Sequence, residues 1–162
     1  MDIFQFAMKM EKDGENYYRE LSEKTNQEGL RRILILLANE EVKHYRVVEQ
    51  LSRKVENPHM AAEEVFENVK NIFVKMRETE QDFHFDASET DLYRKAQRIE
   101  KESRQFYLEK ANEVEGEPQK QLLLRLAEEE QKHEFLMENL VEFITRPKTW
   151  LENAEWYHLD EY

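Results

Sequence analysis

Shifted by 89 residues, the sequence matches itself without a gap. Residues 7–18, AMKMEKDGENYY, fall on 96–107, AQRIEKESRQFY, and residues 33–44, ILILLANEEVKH, fall on 122–133, LLLRLAEEEQKH. Ala7 and Ala96, Glu11 and Glu100, Lys12 and Lys101, and Tyr18 and Tyr107 are identical pairs. So are Leu34 and Leu123, Leu37 and Leu126, Ala38 and Ala127, Glu40 and Glu129, Glu41 and Glu130, Lys43 and Lys132, and His44 and His133. Two acidic helices laid at a chance offset match Glu and Leu now and then. They do not also match both histidines and both tyrosines in frame. The chain reads as two duplicated helical hairpins related by a pseudo-twofold axis.

Four long helical patterns carry the repeat, over about 2–24, 28–53, 89–114 and 118–145. The second presents Leu30, Leu34, Leu37, Glu41, His44, Val48 and Leu51 in steps of four and three. The fourth presents Leu123, Leu126, Glu130, His133, Met137, Leu140 and Ile144 in the same rhythm. Such a stripe is the inward face of a bundle helix, yet each holds a glutamate and a histidine at its middle. Only Gly14 among the three glycines falls well inside a periodic segment rather than at its edge, and no window keeps the alternation of a strand. The expected fold is all-α: an antiparallel four-helix bundle over 1–146, built from hairpins at about 2–53 and 89–145. A long crossover, 54–88, joins them, with Val65, Val69, Ile72, Phe73 and Met76 at helical spacing and room for a helix or two. An aromatic tail, 147–162, carries Trp150, Trp156, Tyr157 and Tyr162 and is expected to pack on the bundle or on a second subunit.

Position along the hairpins follows from counting. Glu11 and Glu41 are equidistant from Asn26 in the first turn, and Glu100 and Glu130 from Glu115 in the second. Equidistant residues of an antiparallel hairpin share a height, here about 22 Å from the turns at about 1.5 Å per residue. Four glutamates and two histidines therefore converge near mid-bundle. Glu-x-x-His places a carboxylate and an imidazole on one helix face, where they can hold one ion together. Four buried carboxylates without compensation would each cost several kcal/mol or take up protons. Two divalent cations cancel four negative charges and leave two neutral imidazoles, so the composition points to two metals rather than one. Oxygen-rich ligands with one nitrogen per ion suit iron or manganese, and zinc would also bind.

At these residues the chain resembles the ferritin-like di-iron carboxylate superfamily, specifically its rubrerythrin-like branch, over about residues 2–146. The diagnostic parts are the two A-x-x-E-x-x-H motifs, Ala38–Glu41–His44 and Ala127–Glu130–His133. Each is preceded by a hairpin partner bearing a glutamate and a tyrosine seven residues on, Glu11–Tyr18 and Glu100–Tyr107. The resemblance implies a ferritin-like fold, two iron ions per chain, and redox chemistry in which dioxygen or hydrogen peroxide oxidises the ferrous pair. It implies Glu41 and Glu130 as bridging ligands, Glu11 and Glu100 as terminal ligands, and His44 and His133 as one cap for each ion. A homodimer is usual among relatives, and the ending RPKTWLENAEW looks like tails of that branch. Two departures stand out. Rubrerythrins proper carry a rubredoxin domain, which a cysteine-free chain cannot form, so a separate electron-donor protein is expected. They also carry an extra glutamate three residues after the third-helix ligand, where this chain has Ser103. The peroxide-driven iron shift tied to that glutamate is not implied here.

Tyr18 and Tyr107 lie two turns from a ligand on the same face and are the candidates for a catalytic role outside the ligand set. They either pack or donate a hydrogen bond to a ligand carboxylate. Gly14 and Ser103, each three residues after a terminal ligand, are expected to face the metals. The glycine serves either close helix packing or a pocket where dioxygen or peroxide binds. Glu40 and Glu129 read as solvated faces, and His59, His84 and His158, without partners at ligand spacing, as structural. A net charge of −12 argues against nucleic acid and anionic membranes as partners. A start that is charged by Lys9, without an apolar signal core, leads us to expect a soluble, cytoplasmic protein. Two other functional classes remain: iron storage, which needs a hollow multi-subunit shell that nothing in the sequence specifies, and a structural or interaction bundle with an idle site.

Overall fold

The computed structural model describes residues 2–62, 65–79 and 83–153. Six helices follow in order: α1 (Ile3–Lys24), α2 (Glu28–Ser52), α3 (Val65–Glu78), α4 (Ala87–Ala111), α5 (Glu117–Thr145) and α6 (Pro147–Asn153). Among the described residues there are no strands. The chain is an all-helical bundle of the ferritin-like kind, with α1, α2, α4 and α5 as its four long members. The crossover contributes one helix among the described residues, and Trp156, Tyr157, His158 and Tyr162 lie outside them.

Local chemistry fixes where the helices start and stop. The Asp2 carboxylate caps α1 by accepting from the Gln5 amide, and the Gln5 side chain returns a bond to the Asp2 N–H, closing a capping box. Asp86 caps α4 by accepting from the Glu89 amide. Pro118 sits in the first turn of α5, where a missing N–H costs nothing. After α2 the backbone turns through left-handed positions at Lys54 and Asn57, with φ of 56° and 58°. The two short turns, at 25–27 and 112–116, hold Asn26 and Glu115 as counted from the sequence.

The strongest packing is within the hairpins, α1 on α2 and α4 on α5, and the hairpins meet through α1 with α4 and α2 with α5. Two separate apolar clusters result. One gathers Tyr18, Leu34, Leu37, Ala96, Met137 and Phe143 with the crossover residues Val69, Ile72 and Phe73. The other gathers Ala7, Val47, Val48, Tyr107, Leu123 and Leu126. Each long helix passes from one cluster to the other, and its ligand-type residues fall between. In α2, Glu41 and His44 lie between Leu37 and Val47; in α5, Glu130 and His133 lie between Leu126 and Met137. The polar centre is thus closed above and below by hydrocarbon. Trp150 of α6 is fully buried against Phe73 and Phe143, with ring centroids at 4.7 and 5.8 Å, so the start of the tail packs on the bundle.

Candidate metal centre

Glu11, Glu41, His44, Glu100, Glu130 and His133 are all buried, none more than 4% exposed. Their donor atoms form two groups, each within 4.8 Å: Glu11, Glu41, His44 and Glu130, and Glu41, Glu100, Glu130 and His133. Glu41 and Glu130 belong to both. Each group draws on both hairpins, because the inward stripes of α1, α2, α4 and α5 bring one carboxylate apiece to the same level. The two imidazoles stack at the centre, with ring centroids 5.5 Å apart and planes 13° from parallel.

Both tyrosines reach across to the opposite hairpin. Tyr18 donates to Glu100 Oε1 and Tyr107 to Glu11 Oε1, each at 2.5 Å. Of the two roles open to them, the hydrogen bond to a carboxylate is the one the structure displays. Burial and the facing glutamate push both phenols well above the ordinary tyrosine range, so they stay protonated donors.

Burying six ionisable groups together forces unequal protonation. Burial and the charges of Glu11, Glu100 and Glu130 hold the Glu41 carboxyl well above the usual range. Burial and Glu130 do the same to Glu100, and burial and Glu11 raise Glu130. Burial opposes ionisation of Glu11 too, but the charge of His44 holds it below the ordinary value. His44 is the reciprocal case: burial disfavours its charge, while Glu11 and bonds to Glu129 and Glu130 push it well above. Burial holds His133 below the ordinary histidine value.

The donor set fits a metal site. Glu11 Oε2, Glu41 Oε1, Glu100 Oε2, Glu130 Oε2 and both ring nitrogens of His133 are buried without a hydrogen-bond partner. Buried polar atoms are nearly always satisfied, and a cluster of partnerless ones aimed at one another calls for a ligand. Carboxylates and imidazoles in this ratio suit iron, manganese or zinc.

One expectation needs correction. Glu40 and Glu129 are not solvated; they are 4% and 7% exposed. They face the seam between α2 and α5, where His44 donates from Nε2 to Glu129 Oε1 at 2.9 Å and Lys43 bonds Glu40 Oε1 at 3.0 Å. Glu40, His44 and Glu129 form a third group of potential ligands that shares His44 with the inner pair. A signal for them was present, since both recur in frame in the repeat, each one residue before an inward glutamate. Ser103 and Gly14 are both buried on the inner side, and Gly14 faces Glu41. A Cβ there would stand 2.7 Å from Glu41 Oε2, so the missing side chain lets the Glu41 carboxylate approach the α1 backbone. His59 and His84 are exposed and belong to none of the three groups. No helix among the described residues is long and apolar enough to cross a membrane.

The family model described as rubrerythrin matches residues 2–141. No curated protein and no solved structure matches the chain. The family match begins at the cap of α1, runs well into α5 and contains every residue of the buried cluster, and by it the chain belongs to the rubrerythrin family, within the ferritin-like di-iron superfamily.

Proposed function

We propose that the chain is a non-haem di-iron redox protein whose ferrous pair is oxidised by dioxygen or hydrogen peroxide, an oxidase, peroxidase or ferroxidase type of activity. The observation that carries this reading is the membership of Glu41 and Glu130 in both ligand groups, as two bridging carboxylates require. Glu11 and His44 would complete one ion's ligands, and Glu100 and His133 the other's. Manganese or zinc could substitute for iron. When bound, the ferrous pair supplies two electrons to an oxidant held beside it.

The remaining work falls to the chain. Tyr107 and Tyr18 hold Glu11 and Glu100 in one rotamer by donating to one oxygen each, which leaves the other oxygen of each free to bind an ion. Glu129 fixes the His44 ring through Nε2 and so presents Nδ1 to the centre. The apolar clusters on either side exclude bulk water and strengthen every charge interaction between them. Electrons for repeated turnover would come from a separate donor protein, and the assembly would be a homodimer. The test is anaerobic loading with ferrous iron followed by stopped-flow mixing with dioxygen and, separately, with hydrogen peroxide. Rapid ferrous oxidation by at least one is expected; a loaded protein inert to both would leave only an idle site.

A further inference from the structure

The two hairpins meet along two seams that differ in what fills them. At the α2–α5 seam Lys43 donates to Glu40 Oε1 at 3.0 Å and to the Ala62 carbonyl at 3.4 Å, and His44 bonds Glu129. Charged side chains and the crossover thus close that side. At the α1–α4 seam runs a groove of about 370 Å³, with Lys9, Asp13, Gly14 and Tyr17 on one wall and Lys95 and Ile99 on the other. Gly14 alone among the residues lining it is buried. Its inward side faces Glu41, where an added Cβ would stand 2.7 Å from Oε2. One thickness of helix backbone, with no side chain in it, therefore separates the groove from a carboxylate of the buried cluster. The repeat-related Ser103 has a side chain and does not line the groove. The charged groups of the groove are already engaged: Lys9 pairs with Asp13 at 2.7 Å, and the Lys95 ammonium lies 5.3 Å from the Tyr17 ring centroid. That leaves the groove suited to a small neutral molecule rather than to an ion.

We propose that the oxidant reaches the buried centre through the α1–α4 groove, crossing beside Gly14, and that this glycine limits entry to neutral oxidants no larger than hydrogen peroxide. The inference rests on the redox reading above and adds to it a route and a size limit. Packing between the hairpins is lighter than packing within each, so a small displacement of α1 against α4 widens the gap at Gly14 without disturbing either hairpin. A side chain at this position would put atoms across the gap and press on Glu41. The other approaches are blocked. The two apolar clusters close the bundle lengthwise, and Lys43, Glu40 and Glu129 occupy the α2–α5 seam. Dioxygen and hydrogen peroxide pass a gap of backbone width that a branched alkyl hydroperoxide does not.

The experiment follows nitric oxide, which binds ferrous iron without turnover, into anaerobic ferrous-loaded protein by stopped-flow absorbance. I99W fills the groove from half-buried Ile99, and K95W does so from an exposed position that tolerates the change. V42W places the same bulk in the neighbouring groove between α1 and α2. At parental metal content, I99W and K95W should bind nitric oxide about tenfold more slowly, and dioxygen and hydrogen peroxide should oxidise them more slowly in step. G14A at equal metal content should be slowed too, and V42W should match the parent. Relative to ferrous ions in buffer, tert-butyl hydroperoxide should oxidise the protein far more slowly than hydrogen peroxide does. Parental nitric oxide rates in both I99W and K95W, or an equal slowing in V42W, overturn the route alone. Tert-butyl hydroperoxide acting as readily as hydrogen peroxide overturns the size limit. A parent that binds nitric oxide at a groove-dependent rate yet is inert to both oxidants overturns the redox reading, and the entry of an oxidant with it.

Discussion

The two halves of the buried centre contain the same residues and do not behave alike. His44 donates to Glu130 at 2.8 Å and to Glu129 at 2.9 Å, whereas His133 stands 3.8 Å from both Glu41 and Glu100 with neither ring nitrogen partnered. The first imidazole is pushed towards its charged form by Glu11, and burial holds the second neutral. The two repeat-related histidines are thus pushed in opposite directions. The cause is electrostatic: His44 and Glu11 favour each other's charged forms, while burial and mutual repulsion push Glu41, Glu100 and Glu130 towards neutral acids. Two divalent ions would remove the reason for the asymmetry, and each histidine would then face its own ion and its own outer glutamate.

The largest effect should come from removing a residue common to both groups. Glu41→Ala should reduce metal content from about two ions per chain to less than one, measured by elemental analysis, because both ions lose a bridge. Full occupancy in that variant would remove Glu41 from the ligand set.

Chelation comes next. A ligand that binds only the folded state at about a thousand times its dissociation constant adds about 4 kcal/mol, or roughly 10 °C in Tm for a chain of this size. The pH trend sharpens the comparison. Glu41, Glu100, Glu130 and His44 hold protons more tightly folded than unfolded, so their contribution is complete at low pH. It falls as pH rises past the ordinary carboxyl value of 4.5 and then the ordinary histidine value of 6.5. Glu11 and His133, with lowered values, act in the opposite sense. The metal-free protein should therefore lose Tm as pH rises from 6.5, while the loaded protein gains from tighter metal binding over the same range. Parallel pH profiles in calorimetry would contradict the proton arrangement.

Glu129→Gln and Glu40→Gln test whether metal restores symmetry. If each outer glutamate orients the opposing histidine once ions are bound, both variants should weaken metal binding by about 10- to 100-fold. An effect confined to Glu129→Gln would mean that the one-sided pattern persists in the loaded state.

The smallest effect concerns Gly14. In metal-free Gly14→Ala the Glu41 carboxylate can swing away from the new Cβ, and the helix gains up to about 1 kcal/mol of propensity. In the loaded protein the same carboxylate is held, so metal affinity should fall modestly while metal-free Tm is unchanged or higher. Ser103→Ala, its counterpart, should do neither, and equal responses would separate Gly14 from Glu41 placement.

The repeat made the four-helix plan legible, because an in-frame match of Glu11 with Glu100 and His44 with His133 leaves few ways to arrange two hairpins. The shared level of the six buried glutamates and histidines followed from their distance to the turns. Glu40 and Glu129 were misread because a position beside an inward glutamate lies about 100° round the helix, and periodicity alone cannot say whether that direction meets water or a neighbouring helix. Here it meets the α2–α5 seam. The cross-hairpin reach of Tyr18 and Tyr107 was likewise undecided, since helical spacing fixes a face and not the partner opposite it. The asymmetry between the histidines had no signal in the sequence, for the residues are identical and only mutual charge distinguishes them.

The most direct test is an anaerobic titration of metal-free protein with ferrous ions at neutral pH, counting bound ions and released protons together. Burial pushes Glu41, Glu100 and Glu130, and the facing carboxylates push His44, towards holding protons that cations must displace, so two ions per chain should bind with clear release of protons. Saturation at one ion, or binding of two with almost no proton release, would contradict a symmetric two-metal centre assembled from these six residues.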